Sequence, residues 1–135
     1  MTKVISLIIF VIMFESCTVT TTRVKSPTFN KPTDSIQVEL NRLVNCEGIN
    51  LDGKEISVNK KINSELEIDI TNGKNIPADE NQMIDLGKQI AMVIKNALQD
   101  KNEYDTYKVL FVTKEESGGV TRRNWKGKIF KLQEL

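Results

Sequence analysis

One long amphipathic helix set between two strand patterns constrains this chain more than any other feature. Met83, Leu86, Gly87, Ile90, Ala91, Val93, Ile94, Ala97 and Leu98 keep to one broad face, through about Gln99. Asp79 and Glu80 stand at its start, where acidic groups meet the positive end of the helix dipole. Gly87 within the apolar face costs about 1 kcal/mol in helix propensity against alanine, so a strand is expected to pass close to it. A stripe this wide reads as core rather than binding groove. A helix lying on a membrane would present a basic polar face, whereas Asp85, Gln89, Asn96 and Asp100 dilute Lys88 and Lys95.

The strand before this helix is clear. Leu66, Ile68 and Ile70 alternate with Glu65, Glu67, Asp69 and Thr71, as in a half-buried strand. Asn72-Gly73 ends it, and Pro77 keeps the next residues out of a ladder. After the helix, Tyr107 to Thr113 is almost continuously apolar, as a central strand would be. Trp125 to Leu132 gives a last strand, joined to it by a turn at Ser117-Gly118-Gly119. A right-handed helical crossover makes the Leu66 and Tyr107 strands parallel, adjacent or one apart. The fold class is therefore α+β, a small mixed β-sheet with one long amphipathic helix packed across one face and a short N-terminal helix.

That short helix is read from Asp34 and Gln37, spaced as a capping box, and from Ile36, Leu40, Leu43 and Val44 at helical spacing. It runs to about Asn45 and Gly48 ends it. Asp52-Gly53 then reads as a two-residue turn, with Ile49 and Leu51 on one arm and Ile56 and Val58 on the other. The single α+β domain is expected over residues 35–135.

Ahead of the domain lie two segments of different character. Lys3 is followed by an apolar run, Val4 to Phe14, broken only by Ser6. It is too short for a bilayer about 30 Å thick, which takes about 20 residues, and fits the apolar region of a secretory signal peptide over residues 1–16. Residues 18–34 are rich in threonine, serine and proline, with Val19, Val24 and Phe29 their only apolar side chains. They read as a flexible tether, about 20–25 Å from end to end, so a chain cut back to about Thr33 is expected to fold alone.

Cys17 directly follows the apolar run, with small Ser16 before it. This stretch resembles the lipobox of bacterial lipoproteins, in the loose form ending in Ser-Cys found in the Bacteroides and Flavobacterium group. Phe14 and Glu15 depart from the usual pattern. The resemblance covers about the first 17 residues. It implies cleavage before Cys17, diacylglycerol on its thiol, and anchoring to a bacterial outer membrane. No acidic run follows Cys17, which points to the periplasmic face rather than the surface. A secreted protein with Cys17 left free is the other reading. Cys46 is expected to be a small buried hydrophobe, although a Cys17–Cys46 disulfide is conceivable in an oxidising compartment.

Charge and residue types narrow the chemistry. The chain holds 19 basic and 18 acidic side chains, a net +1, which lacks the basic excess of a nucleic-acid binder. It has no histidine, so a Cys–His nucleophile pair and the usual zinc ligand sets are not available. No Gly-rich loop joins a strand to a helix, so nucleotide binding has no support. No cofactor and no metal is expected. Glu65, Glu67 and Asp69 share a strand face about 6.5–7 Å apart, near the spacing of glycosidase carboxylates, but a solvated face opposite an apolar one accounts for them. The protein is therefore expected not to be an enzyme.

The stretch "KEESGGVTRRNWKGK", residues 114–128, is the most distinctive chemically. A two-residue turn at Gly118-Gly119 sets Glu115 opposite Arg122 and Glu116 opposite Thr121, and a three-residue loop also fits the pattern. Cross-strand ion pairs with Trp125 packed under the tip give the structural reading. Arg122, Arg123 and Trp125 acting together as a partner contact give the functional one, because Arg and Trp are enriched at binding hot spots. The expected function is a monomeric, lipid-anchored binding or adaptor module holding a protein or polysaccharide partner in the cell envelope. The alternative is an inhibitor or immunity-type lipoprotein that neutralises a toxin or hydrolase.

Overall fold

The computed structural model describes residues 18–135; the expected signal peptide and the expected lipidation site at Cys17 lie outside the described residues. Along the chain run β1 (Thr20–Val24), α1 (Thr33–Val44), β2 (Gly48–Val58), β3 (Lys61–Thr71), α2 (Glu80–Ala97), β4 (Thr106–Ser117) and β5 (Val120–Lys131), closed by a 3-10 turn, Leu132–Glu134. The fold is α+β, with a five-stranded mixed sheet of order β1-β2-β3-β4-β5.

Strand β3 shows how the sequence pattern becomes a layer. Ser64, Leu66, Ile68 and Ile70 are buried, while Glu65, Glu67, Asp69 and Thr71 between them are half-buried. Side chains alternate across a pleated strand, so one face of the sheet joins the core and the other faces away from it. Ile36, Leu40 and Val44 of α1, and Ile90, Ala91, Ile94 and Ala97 of α2, belong to the same buried cluster as Tyr107, Val109 and Phe111 of β4 and Phe130 of β5. A side chain at Gly87 would come within 3.3 Å of the Phe130 ring, so the glycine does mark a close strand. The Asp79 carboxylate caps α2 by accepting from the backbone N–H of Gln82 at 2.9 Å. Strands β3 and β4, flanking α2 in the chain, are parallel and adjacent, with Leu66 beside Tyr107 and Ile68 beside Val109.

Three local expectations are corrected. Asp52-Gly53 is not a turn: residues 48–58 form one continuous strand, and the hairpin to β3 turns at Asn59-Lys60, where both residues have positive φ (50° and 68°). The Asp-Gly signal misleads because Gly53 serves packing. A side chain there would collide with the carbonyl of Lys25 and the hydroxyl of Tyr104. Helix α1 is not capped by Asp34, which lies inside its first turn behind Pro32, and it ends at left-handed Asn45 rather than at Gly48. Cys46 is half-buried at the core's edge.

The tether expectation also gives way. Thr20–Val24 pairs antiparallel with β2, Thr22 beside Ile56. Phe29 bridges Leu98, while the N–H of Asn30 donates to the Ala97 carbonyl at 2.9 Å and that of Gln99 to the Thr28 carbonyl at 2.8 Å. These bonds close the carboxyl end of α2, whose last carbonyls have no partner within the helix. Composition missed this because backbone groups do most of the holding: all five β1 residues are exposed, and of the segment's apolar side chains Val19 and Val24 are exposed while Phe29 packs against the core.

Candidate functional site

The hairpin of β4 and β5 carries the residues singled out from the sequence, and its register follows from its turn. Gly118 and Gly119 take φ of +57° and +79°, the left-handed pair that a two-residue hairpin turn requires. Nothing lies within 4 Å of where their side chains would be, so backbone conformation rather than space calls for glycine. Glu115 stands opposite Arg122, Glu116 opposite Thr121 and Val112 opposite Trp125. The two-residue register holds.

The ion-pair reading does not hold with it. Among the described residues, Glu115 and Arg122 form no salt bridge, and the carboxylate of Glu116 pairs instead with Lys114 at 2.5 Å. Trp125 is not packed under the tip either: it is 68% exposed. Its partner Val112 lies on the face away from the core, so Trp125 does too.

Strand geometry also divides the three candidate residues. Successive side chains on a strand point to opposite faces, so Arg123 and Trp125 share the face away from the core while Arg122 lies on the other. Arg123 and Trp125 border one hollow of about 330 Å³ together with Asn50, Asp69, Thr71 and Lys114. Arg122 lines a different hollow with Glu115, Ser117 and Val120. The sequence motif thus contains one pair and one separate residue, and the triplet is not a single patch.

The sheet face that carries the first hollow is electrostatically graded, with Asp69 in the hollow and a row of paired charges further along the same face. Lys54 of β2 reaches Glu65 at 3.1 Å and Glu67 at 3.6 Å, and Lys108 of β4 reaches Glu67 at 2.7 Å. These side chains form a chain of opposite charges across three strands, and the Lys108 hydrogen bond holds the Glu67 carboxyl below its ordinary value. Asp69 differs. One of its oxygens, Oδ1, is buried without a hydrogen-bond partner, and burial, reinforced by the nearby charge of Glu67, raises its carboxyl above the usual range. Sequence reasoning placed Glu65, Glu67 and Asp69 on one face and could not separate them. The lysines that do so come from β2 and β4, which only the fold brings alongside.

Asp69, Asn50 and Thr71 were not read as partners of Arg123 and Trp125 in the sequence, because more than fifty residues separate each of the three from either of the two. Together they offer one aromatic face, one guanidinium, a carboxylate and neutral hydrogen-bonding groups, the makings of a recognition surface. Beyond Trp125 along the same face, Ile129 is 50% exposed, and Gly127 between them permits close approach, since a side chain there would strike the Val109 carbonyl. Comparison with known proteins finds no matching family model, no matching curated protein and no matching solved structure.

Proposed function

We propose that this protein is a lipid-anchored binding module of the bacterial cell envelope, not an enzyme. Diacylglycerol on Cys17 holds it to the outer membrane, on the periplasmic side. The membrane part of this reading is supported by the apolar run from Val4 to Phe14 ending at Ser16-Cys17. In this reading the long helix α2 lies across one face of the sheet beside short α1, and the other face receives the partner. Glu65 and Glu67 are engaged by lysines, which suits a fixed charged surface better than a proton-transfer pair.

One observation carries the binding reading. Trp125 is the chain's single tryptophan, it stands largely exposed on a regular strand, and it borders a polar hollow together with Arg123. Large aromatic side chains in such positions anchor interfaces.

The test uses the full chain in its native cells. Cross-linking from membranes should recover a partner with wild type and with Arg122→Ser, and lose it with Arg123→Ser/Trp125→Ala. Because Trp125 is exposed, that change should leave thermal stability near wild type. Equal recovery with all three would overturn the assignment of this face. Labelled palmitate should enter wild type and not Cys17→Ser; equal labelling would overturn the anchor.

A further inference from the structure

Strand β5 is the last in the sheet and, among the described residues, pairs only with β4. It is long and regular: its ladder runs unbroken from Ser117 opposite Val120 to Thr106 opposite Lys131. Eleven of its twelve residues are exposed, Phe130 being the exception. Alternate N–H and C=O groups of such an edge point outward, ready to pair with another strand. The usual protections of an edge are shortness, proline, bulges or charge, and β5 has only the last. Its charge has one sign: Arg122, Arg123, Lys126, Lys128 and Lys131, with no acidic residue.

We propose that β5 receives an extended, acidic segment of a protein partner as a sixth strand of the sheet. The inference rests on the binding-module reading and names the class of partner. Main-chain hydrogen bonds along β5 would supply affinity and the flanking side chains specificity, as in other strand additions. A second copy of this chain is opposed, because β5 against β5 would set cation beside cation.

The two faces of β5 specify the pattern of the incoming strand. Arg122, Lys126 and Lys128 share the face of Phe130, whereas Arg123, Trp125 and Ile129 share the other. Acidic side chains are expected on the first face and mainly apolar ones on the second, against Trp125 and Ile129. There is room on both faces: the hollow of Asp69 and Arg123 lies on one, and Lys126 and Gly127 border another with Met83 and Glu80. Glu80 is the acidic group that faces Lys126 across that hollow. Beyond Lys131 the 3-10 turn closes the edge, where the Glu134 carboxylate accepts from the Lys131 N–H at 2.8 Å. The seat therefore spans Arg122 to about Ile129.

The experiment titrates the full chain, in mild detergent, with a capped peptide of alternating valine and glutamate, read by Trp125 fluorescence. Three controls accompany it: the lysine-for-glutamate peptide, the same acidic peptide with alternate amides N-methylated, and the chain's own sedimentation. The acidic peptide should bind saturably and shift the emission to the blue, and both control peptides should fail. Lys126→Glu/Lys128→Glu should weaken binding about tenfold or more at unchanged melting temperature. Should that variant melt early, Lys126→Gln/Lys128→Gln must still weaken it. An N-methylated peptide that binds as well as its parent overturns strand addition, and so does self-association through β5 with no peptide binding. If no peptide binds while cross-linking still recovers a partner through Arg123 and Trp125, this inference fails and the binding-module reading stands. If both fail, both are wrong.

Discussion

Gly53 lies directly against the phenolic group of Tyr104: the space where its side chain would be is filled by the hydroxyl, which donates to the Lys25 carbonyl at 2.5 Å. The N–H of Lys25 returns to the Gly53 carbonyl at 2.8 Å. One missing methyl group thus lets a fully buried tyrosine bind β2 to the chain leaving β1.

This arrangement separates two tyrosines that look alike in the sequence. Tyr104 and Tyr107 are both completely buried and meet edge to face, ring centres 6.3 Å apart, but the Tyr107 hydroxyl has no hydrogen-bond partner. Burial pushes the Tyr107 phenol up to about 12. Tyr104→Phe should cost about 1 kcal/mol, because it abandons a buried carbonyl, whereas Tyr107→Phe should be neutral or slightly stabilising. Gly53→Ala should cost about 1–3 kcal/mol by overpacking, and less than additively with Tyr104→Phe. Thermal melting of the four variants checks the set.

The segment before Thr33 contributes to stability. Removing residues 18–32 deletes β1, the Phe29 bridge and the Lys25 ammonium that donates to the Glu103 carbonyl at 2.8 Å. It also strips the partners from the end of α2. A chain beginning at Thr33 should therefore melt well below one beginning at residue 18, with the earliest hydrogen exchange near residues 97–104. Equal melting would restore the free-tether reading.

How much of this was legible depended on whether a signal was local. The α2 stripe, the β3 alternation and the Gly118-Gly119 turn each rest on neighbours in sequence, and the structure has all three elements. Asp52-Gly53 failed because a glycine needed for a turn and one needed for close approach look identical until Tyr104 is placed. Arg122, Arg123 and Trp125 were found as chemistry but not as geometry: strand parity sends Arg122 to the other face. Asp69, Asn50 and Thr71 come from strands far away in the chain, and no spacing joined them to Trp125.

The β2–β3 turn is open to improvement. Lys60 takes φ 68°, a left-handed conformation that costs a side chain about 1 kcal/mol and glycine nothing. Lys60→Gly creates Asn-Gly, the preferred pair for this turn, and should raise stability by about 0.5–1 kcal/mol. Chemical denaturation with an unchanged slope would show the gain; a loss would mean that Lys60 makes contacts worth more than the strain.

Asp69 and Glu67 should shift stability with pH in opposite directions. The folded-state value of Glu67 is lowered by Lys108 and Lys54, so its stabilisation is complete above the ordinary carboxylate value of about 4 and is lost as pH falls through the lowered value. Asp69 is raised, first by burial and then by Glu67, so the folded protein binds its proton more readily than the unfolded chain. Its charge opposes folding at neutral pH, and that opposition is relieved as pH falls through the raised value towards about 4. Asp69→Asn should therefore be more stable than wild type at pH 7, and its advantage should shrink across that window. Glu67→Gln should show the reverse: less stable at pH 7, with the deficit closing only below about 4. Melting curves for the three proteins from neutral to acid pH decide the matter. A destabilised Asp69→Asn at neutral pH would mean that the nearby charges of Lys108 and Arg123 favour the carboxylate strongly enough to outweigh its burial.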